Sequence, residues 1–156
     1  MAAIPAAGAK LRASVLSSLI TTGWSAWTPT LANLTLGSGT VVARWRQSGN
    51  GVNYAADFFF SFLLGAGSAV GTLPSFTLPF TPASHFAVTS LVIGRGDLID
   101  TGVAAYFAVG RWTATSTVEV VYLGASGVHT SVTAAAPFAW GSGDRLVIEG
   151  TGIEIA

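Results

Sequence analysis

The chain has 156 residues, enough for one domain with a hydrophobic core of its own, and its seven basic and seven acidic residues cancel to a formal net charge of zero. It contains no cysteine, which excludes disulfides, thiolate metal sites and a cysteine nucleophile. A single lysine and a net charge of zero exclude the basic surface that a nucleic-acid-binding protein needs, so we expect no nucleic-acid partner.

The balance of residue types is strongly apolar. Charged residues make up 9% of the chain and hydrophobic residues 51%, whereas a typical soluble domain has about 25% charged residues. The longest apolar stretch, Tyr54 to Gly65, is interrupted by Asp57 and Ser61 and is shorter than the roughly 20 residues of a membrane-spanning helix. We therefore expect no membrane insertion, and predict that other protein subunits cover part of the surface.

Residues 1–22 differ in pattern from the rest of the chain. Four apolar residues recur there at helical spacing: Leu11, Val15, Leu16 and Leu19. The predicted helix runs from about Ala9 to Ile20, and Gly23 would end it. A helix of about 12 residues is marginal alone in water, so it must dock on its own domain or on a neighbouring subunit. We favour the neighbour, because the remainder looks complete without it, and divide the chain into an anchor arm (1–22) and a β domain (23–156).

The first strong strand signals form a hairpin. The segment Gly39 to Gln47 is β-branched and aromatic, Ser48 to Gly51 predicts a turn, and Val52 to Leu64 is a long aromatic strand. With a period of two, one face of the second strand is apolar and predicts the core: Val52, Tyr54, Ala56, Phe58, Phe60, Phe62 and Leu64. The other face is only half polar, which indicates contact with a further surface: Ala55, Asp57, Phe59, Ser61 and Leu63.

The rest of the chain predicts short strands between turns. Gly65 to Gly71 predicts a loop, and the prolines confine Phe76 to Pro82 to a sheet edge or an irregular segment. Further strands are predicted at Phe86–Ile93, Val103–Val109, Thr117–Leu123, Arg145–Glu149 and Gly152–Ile155. Glycine-rich or polar separators, among them GRGD, GRW, GASG and GSGD, divide them. The pattern predicts an all-β fold, an antiparallel β-sandwich or jelly roll, preceded by the short helical arm.

Residues that could carry chemistry are few and scattered. His85 and His129 lie in no catalytic or zinc-binding motif. Asp97 and Asp100 lack the spacing of a calcium loop, and we interpret the RGD string at Arg95 to Asp97 as a turn. We therefore expect no enzyme activity, no metal and no cofactor.

Two further features need an explanation. Asp57 stands on an apolar strand, and we predict that it pairs with Arg44 or Arg46 on the adjacent hairpin strand. The chain also has five tryptophans, for which packing in the core or an interface is the first expectation and sugar stacking the alternative. The candidate sugar-binding or interface aromatics are Trp24, Trp27 and Trp112.

Several motifs, in order along the chain, carry a resemblance to a known family. They are WTPTL (Trp27 to Leu31), LGSGTVVARWRQSGNGVNYAADFFF (Leu36 to Phe60), FTLPF (Phe76 to Phe80) and FAWGSGDRLVIEGT (Phe138 to Thr151). This set resembles a β-rich domain of virion proteins of tailed bacteriophages, common among phages of actinobacteria, where such domains are described as minor tail proteins. The opening AGAKLRASVLSSL is similar to short openings of phage structural proteins. The middle, Ser84 to Val109, matches least.

The resemblance implies a non-enzymatic structural protein located in a virion, on the capsid surface or the tail. It implies a capsid decoration (cement) protein or a minor tail protein that assembles as a homotrimer and contacts a major capsid or tail protein. The alternative is a receptor-binding module of a phage tail that binds a host surface glycan.

Overall fold

The computed structural model describes residues 23–49, 54–84 and 91–156. The predicted anchor helix, with Leu11, Val15, Leu16 and Leu19, lies outside the described residues. So do His85, Asn50 and Gly51 of the predicted turn, the predicted core residue Val52, and the first part of the strand predicted at Phe86–Ile93.

The described residues form ten β-strands and no α-helix, so the predicted all-β fold is confirmed. The strands are β1 Ser25–Ala26, β2 Leu31–Thr35, β3 Thr40–Gly49, β4 Tyr54–Leu63, β5 Ala69–Thr77, β6 Leu91–Asp100, β7 Ala104–Ala114, β8 Thr117–Leu123, β9 His129–Ser131 and β10 Arg145–Glu154.

All paired strands are antiparallel and belong to one sheet, in the order β1-β3-β4-β10-β6-β7-β8-β5-β2. β5 pairs with the first half of β8, and β9 pairs with its second half. The strands β6, β7 and β8 follow one another directly, and β10 then returns beside β6. This order, β10-β6-β7-β8, is a Greek key.

The sheet curls so that distant strands pack face to face. The ring of Phe76 on β5 stacks on Phe60 of β4 with centroids 4.0 Å apart, and it meets Phe58 edge-on at 6.1 Å. Near the edges, the backbone N–H of Trp27 donates to Ala43 O, and its indole Nε1 donates to Thr77 O at 3.0 Å. One continuous sheet therefore supplies both layers of the predicted two-layer fold.

The core follows the predicted alternation of β4. Its buried apolar side chains include Ala56, Phe58, Phe60, Phe62 and the following Leu64. Tyr54, the first residue of β4, departs from the prediction and is exposed. The hairpin itself is confirmed, since β3 and β4 pair along ten residues each.

Two predicted turns are wrong, because their glycines lie inside strands. The GRGD segment belongs to β6 and the GRW segment to β7, so the RGD string at Arg95 to Asp97 is extended strand. Gly96 packs so closely on β10 that a Cβ there would lie 1.9 Å from Val147 O. A Cβ on Gly110 would lie 2.8 Å from the Val118 side chain. These glycines allow close approach between neighbours and do not reverse the chain.

The boundaries of two other strands differ from the sequence prediction. β5 begins at Ala69, inside the predicted loop, and continues through Pro74. The proline is accommodated because the pairing of β5 with β2 shifts register between Val70 and Ser75. The two strands predicted at the C-terminal end are one strand, β10, with a bulge between Gly150 and Ile153.

Candidate functional site

The outward face of the curled sheet carries apolar side chains in register across several strands. One row runs Val42, Ser61, Val147, Asp97 and Phe107, each directly opposite the next. Directly opposed residues point to the same side of a sheet, so these five side chains share the outward face. Ser61 is buried there, whereas Val42, Asp97 and Phe107 are exposed. Val42 and Phe107 expose 42% and 47% of their surface. Exposed apolar side chains that lie close together on a sheet face are typical of protein contact surfaces.

Charged side chains alternate with these apolar ones. Arg44, Arg95 and Arg145 are exposed on the outward face, as are Asp97 and Glu149. Glu149 stands directly opposite Arg95 across β10 and β6. A face that mixes positive, negative and apolar side chains is better suited to contact with another protein than to binding the phosphate backbone of a nucleic acid.

The most exposed apolar pair of this face lies on β7 and β8. Phe107 and Leu123 are each one residue beyond the Ala108–Tyr122 pair, where the pairing of β7 with β8 ends. Leu123 exposes 42% of its surface. Asp97 flanks the pair on β6 and His129 flanks it on β9, and both are exposed. We call these four residues the outer patch.

Asp57 has the predicted cross-strand partner. Arg46 Nε donates to Asp57 Oδ2 at 2.7 Å, and Asp57 Oδ1 accepts the backbone N–H of Gly152 at 2.9 Å. The guanidinium of Arg46 lies 4.9 Å from the centre of the Trp24 ring. This buried carboxylate thus joins β3 and β4 to the bulge of β10, which identifies it as a structural residue.

A cleft of about 420 Å³ opens beside the bulge of β10, where the pairing of β10 with β6 ends at Glu149 and Arg95. Its described lining is Val92, Ile93, Gly94, Arg95, Glu149, Gly150, Thr151, Gly152 and Ile153. The polar side chains among these residues are Arg95, Glu149 and Thr151. These side chains include hydrogen-bond donors and acceptors, but they do not pair a nucleophile with a general base.

The three candidate tryptophans occupy different environments. Trp24 exposes 46% of its surface, with Arg46 beside its ring. Trp27 is half-buried against the core, and Trp112 is buried with its indole Nε1 donating to Thr115 O at 3.1 Å. Trp27 and Trp112 therefore pack within the fold, and Trp24 is the member of the three that presents its ring to solvent.

The remaining chemical candidates are separate from one another. Asp97, Asp100 and His129 lie on β6 and β9, and the described residues contain no group of three or more potential metal ligands. Arg111 pairs with Glu119 across β7 and β8. Within the described part of the chain, no helix has the length and apolar character needed to cross a membrane.

Sequence reasoning missed two sets of residues. Phe107 lies within one predicted strand and Leu123 ends another. Their alternation with the inward Tyr106 and Tyr122 is the sequence signal that places them on the outward face. Asp144 was also missed: its carboxylate accepts the N–H groups of Thr101 at 3.0 Å and Gly141 at 2.6 Å. An aspartate three residues after a glycine in GSGD is the signal for that local cap.

Compared with known proteins, the chain matches no family model, no curated protein and no solved structure.

Proposed function

We propose that the chain is a non-enzymatic structural protein of a tailed-bacteriophage virion, which assembles with other copies and with a major capsid or tail protein. The ordered motifs from Trp27 to Thr151 supply the resemblance to virion proteins. The chain would serve either as a decoration protein on the capsid surface or as a minor tail protein.

The observation that carries the proposal is the apolar outward face of the sheet. Val42, Phe107 and Leu123 are large apolar residues that point away from the core and are exposed in the single chain. Covering such a surface stabilises an assembly by about 25 cal/mol for each Å² of apolar area removed from water. An assembled particle supplies such a covering surface.

The first test is the mass of the purified chain in solution, measured by light scattering. A mass near three times 15.9 kDa would support the proposed homotrimer. The second test is incorporation: the tagged chain should co-purify with phage particles assembled in its presence, and should resist washing at high salt. A monomer that never joins particles would contradict the proposal.

A receptor-binding module is the second candidate, and the exposed ring of Trp24 favours it. Aromatic rings that reach solvent can stack on sugars, and Trp24 has a guanidinium beside it that can donate hydrogen bonds. Binding to an array of bacterial envelope glycans, with loss in Trp24→Ala and retention in Tyr54→Ala, would support this candidate. An array without binding would leave the structural role alone.

A further inference from the structure

The outer patch has an order of side chains that complements itself. Across β6, β7, β8 and β9 the row reads Asp97, Phe107, Leu123, His129. An aspartate stands at one end and an imidazole, which can donate a hydrogen bond to a carboxylate, at the other, and two large exposed apolar residues lie between them. If a second copy presents the same row in the opposite order, Asp97 meets His129 and Phe107 meets Leu123, and each pair is complementary.

We propose that the outer patch packs against the outer patch of a second copy of this chain, around a two-fold axis that lies in the interface parallel to the strands. That axis places Phe107 against Leu123 of the other copy, and Asp97 against His129 of the other copy. The sheets stack face to face, at the spacing of about 10 Å usual for packed sheets. The contact is isologous, so each pairing occurs twice.

The row beside the patch fits the same axis. It reads Arg95, Val109, Val121, Ser131 along the same four strands. Val109 and Val121 are buried within the single chain, so the ends of this row, Arg95 and Ser131, are the residues that reach the surface. The axis places Arg95 against Ser131 of the other copy. A two-fold axis running across the strands would instead place Asp97 against Asp97 of the other copy, where like charges repel. The distribution of charge therefore selects the axis parallel to the strands.

The contact is small, because it spans four strands, or about 14 Å at the usual strand spacing. Interfaces of this size give weak association, which becomes effective when many copies are held side by side. The inference rests on the proposed function in this one respect, that a particle holds neighbouring copies close together. It joins two copies, whether each is single or already part of a trimer.

The test is sedimentation of the full chain over a concentration series reaching about 1 mM. We expect the mass to double as the concentration rises, from one copy to two or from three copies to six. A mass that never doubles overturns the pairing.

Substitutions locate the contact on the surface. Leu123→Glu and Phe107→Glu should each raise the dissociation constant on the order of tenfold or more, because they place a charge at the centre of the interface. Val103→Glu is the control, since Val103 exposes 78% of its surface in the turn between β6 and β7, outside the outer patch. Equal effects of Val103→Glu and Leu123→Glu would overturn the proposal, provided that circular dichroism shows all variants folded.

A charge exchange tests the orientation of the two copies. His129→Asp alone should weaken the doubling, because it sets two carboxylates against each other at both ends of the patch. Adding Asp97→Arg should restore it, and a double variant as weak as the single one overturns the axis.

Doubling in solution without incorporation into particles would contradict only the proposed virion function. Incorporation without doubling would contradict only the pairing.

Discussion

At the residue scale, the buried carboxylate of Asp57 illustrates how a charge on an apolar strand is tolerated. Its two oxygens are used separately, one by Arg46 Nε at 2.7 Å and the other by the N–H of Gly152 at 2.9 Å. Burial of an ionised group is costly unless it is paired and hydrogen-bonded, and both conditions are met here. The adjacent strand of the hairpin predicted the arginine, but no local pattern in the sequence predicted the glycine.

Replacement of Asp57 should destabilise the fold. Asp57→Ala removes the acceptor of the Gly152 N–H and the partner of Arg46, and we expect a loss of about 2 kcal/mol in the free energy of unfolding. Arg46 is partly exposed, so solvent limits the loss. Urea denaturation measures the change, with the exposed Asp97→Ala as the control. Equal losses in the two variants would show that the network contributes nothing.

Gly96 gives a second prediction at this scale. A Cβ at this position would meet Val147 O at 1.9 Å, so Gly96→Ala forces β6 and β10 apart in the middle of the sheet. We expect destabilisation of about 3 kcal/mol, visible as a lowered urea midpoint. Gly141→Ala is the control, because the nearest atom to its Cβ would be Asp144 Oδ2 at 3.7 Å. An unchanged urea midpoint in Gly96→Ala would mean that β6 and β10 lie further apart at this position.

At the element scale, local pattern and tertiary environment contribute differently to each strand. The hairpin of β3 and β4 and the strand β8 follow from alternation and turn residues alone. β5 does not, because Pro74 and Gly71 oppose a strand locally and are accommodated only by a register shift against β2. Glycines at 94, 96 and 110 likewise resemble turns until neighbouring strands supply the close contacts that require them.

The division of the chain into arm and body is testable at the same scale. The buried apolar residues described here run from Leu34 to Ile153. We therefore expect deletion of residues 1–22 to leave a folded β domain that no longer joins particles. Far-ultraviolet circular dichroism and a thermal melt would measure the fold, and particle co-purification the assembly. Unfolding of the truncated chain would show instead that residues 1–22 belong to the core.

At the scale of the whole molecule, the sheet joins segments that are far apart in sequence. β4 pairs with β10, so Phe60 opposes Ile148 and Phe62 opposes Leu146. Such non-local pairing requires long loops to close, at a cost in chain entropy, before the stabilising contacts between strands can form. Refolding should therefore take milliseconds to seconds. Stopped-flow tryptophan fluorescence after dilution from urea would measure the rate. Complete refolding within microseconds would contradict the topology.

The amino-acid sequence by itself determined the all-β class, the hairpin, the inward row of β4 and the pairing of Asp57 with an arginine of the neighbouring strand. These depend on alternation and on contacts between residues close in the chain, where few arrangements are sterically allowed. Only the tertiary structure decided the strand order, the single curled sheet and the outer patch. The patch brings Asp97, Phe107, Leu123 and His129 together from four strands. The order of those strands depends on how the Greek key packs, and no local pattern specifies that packing.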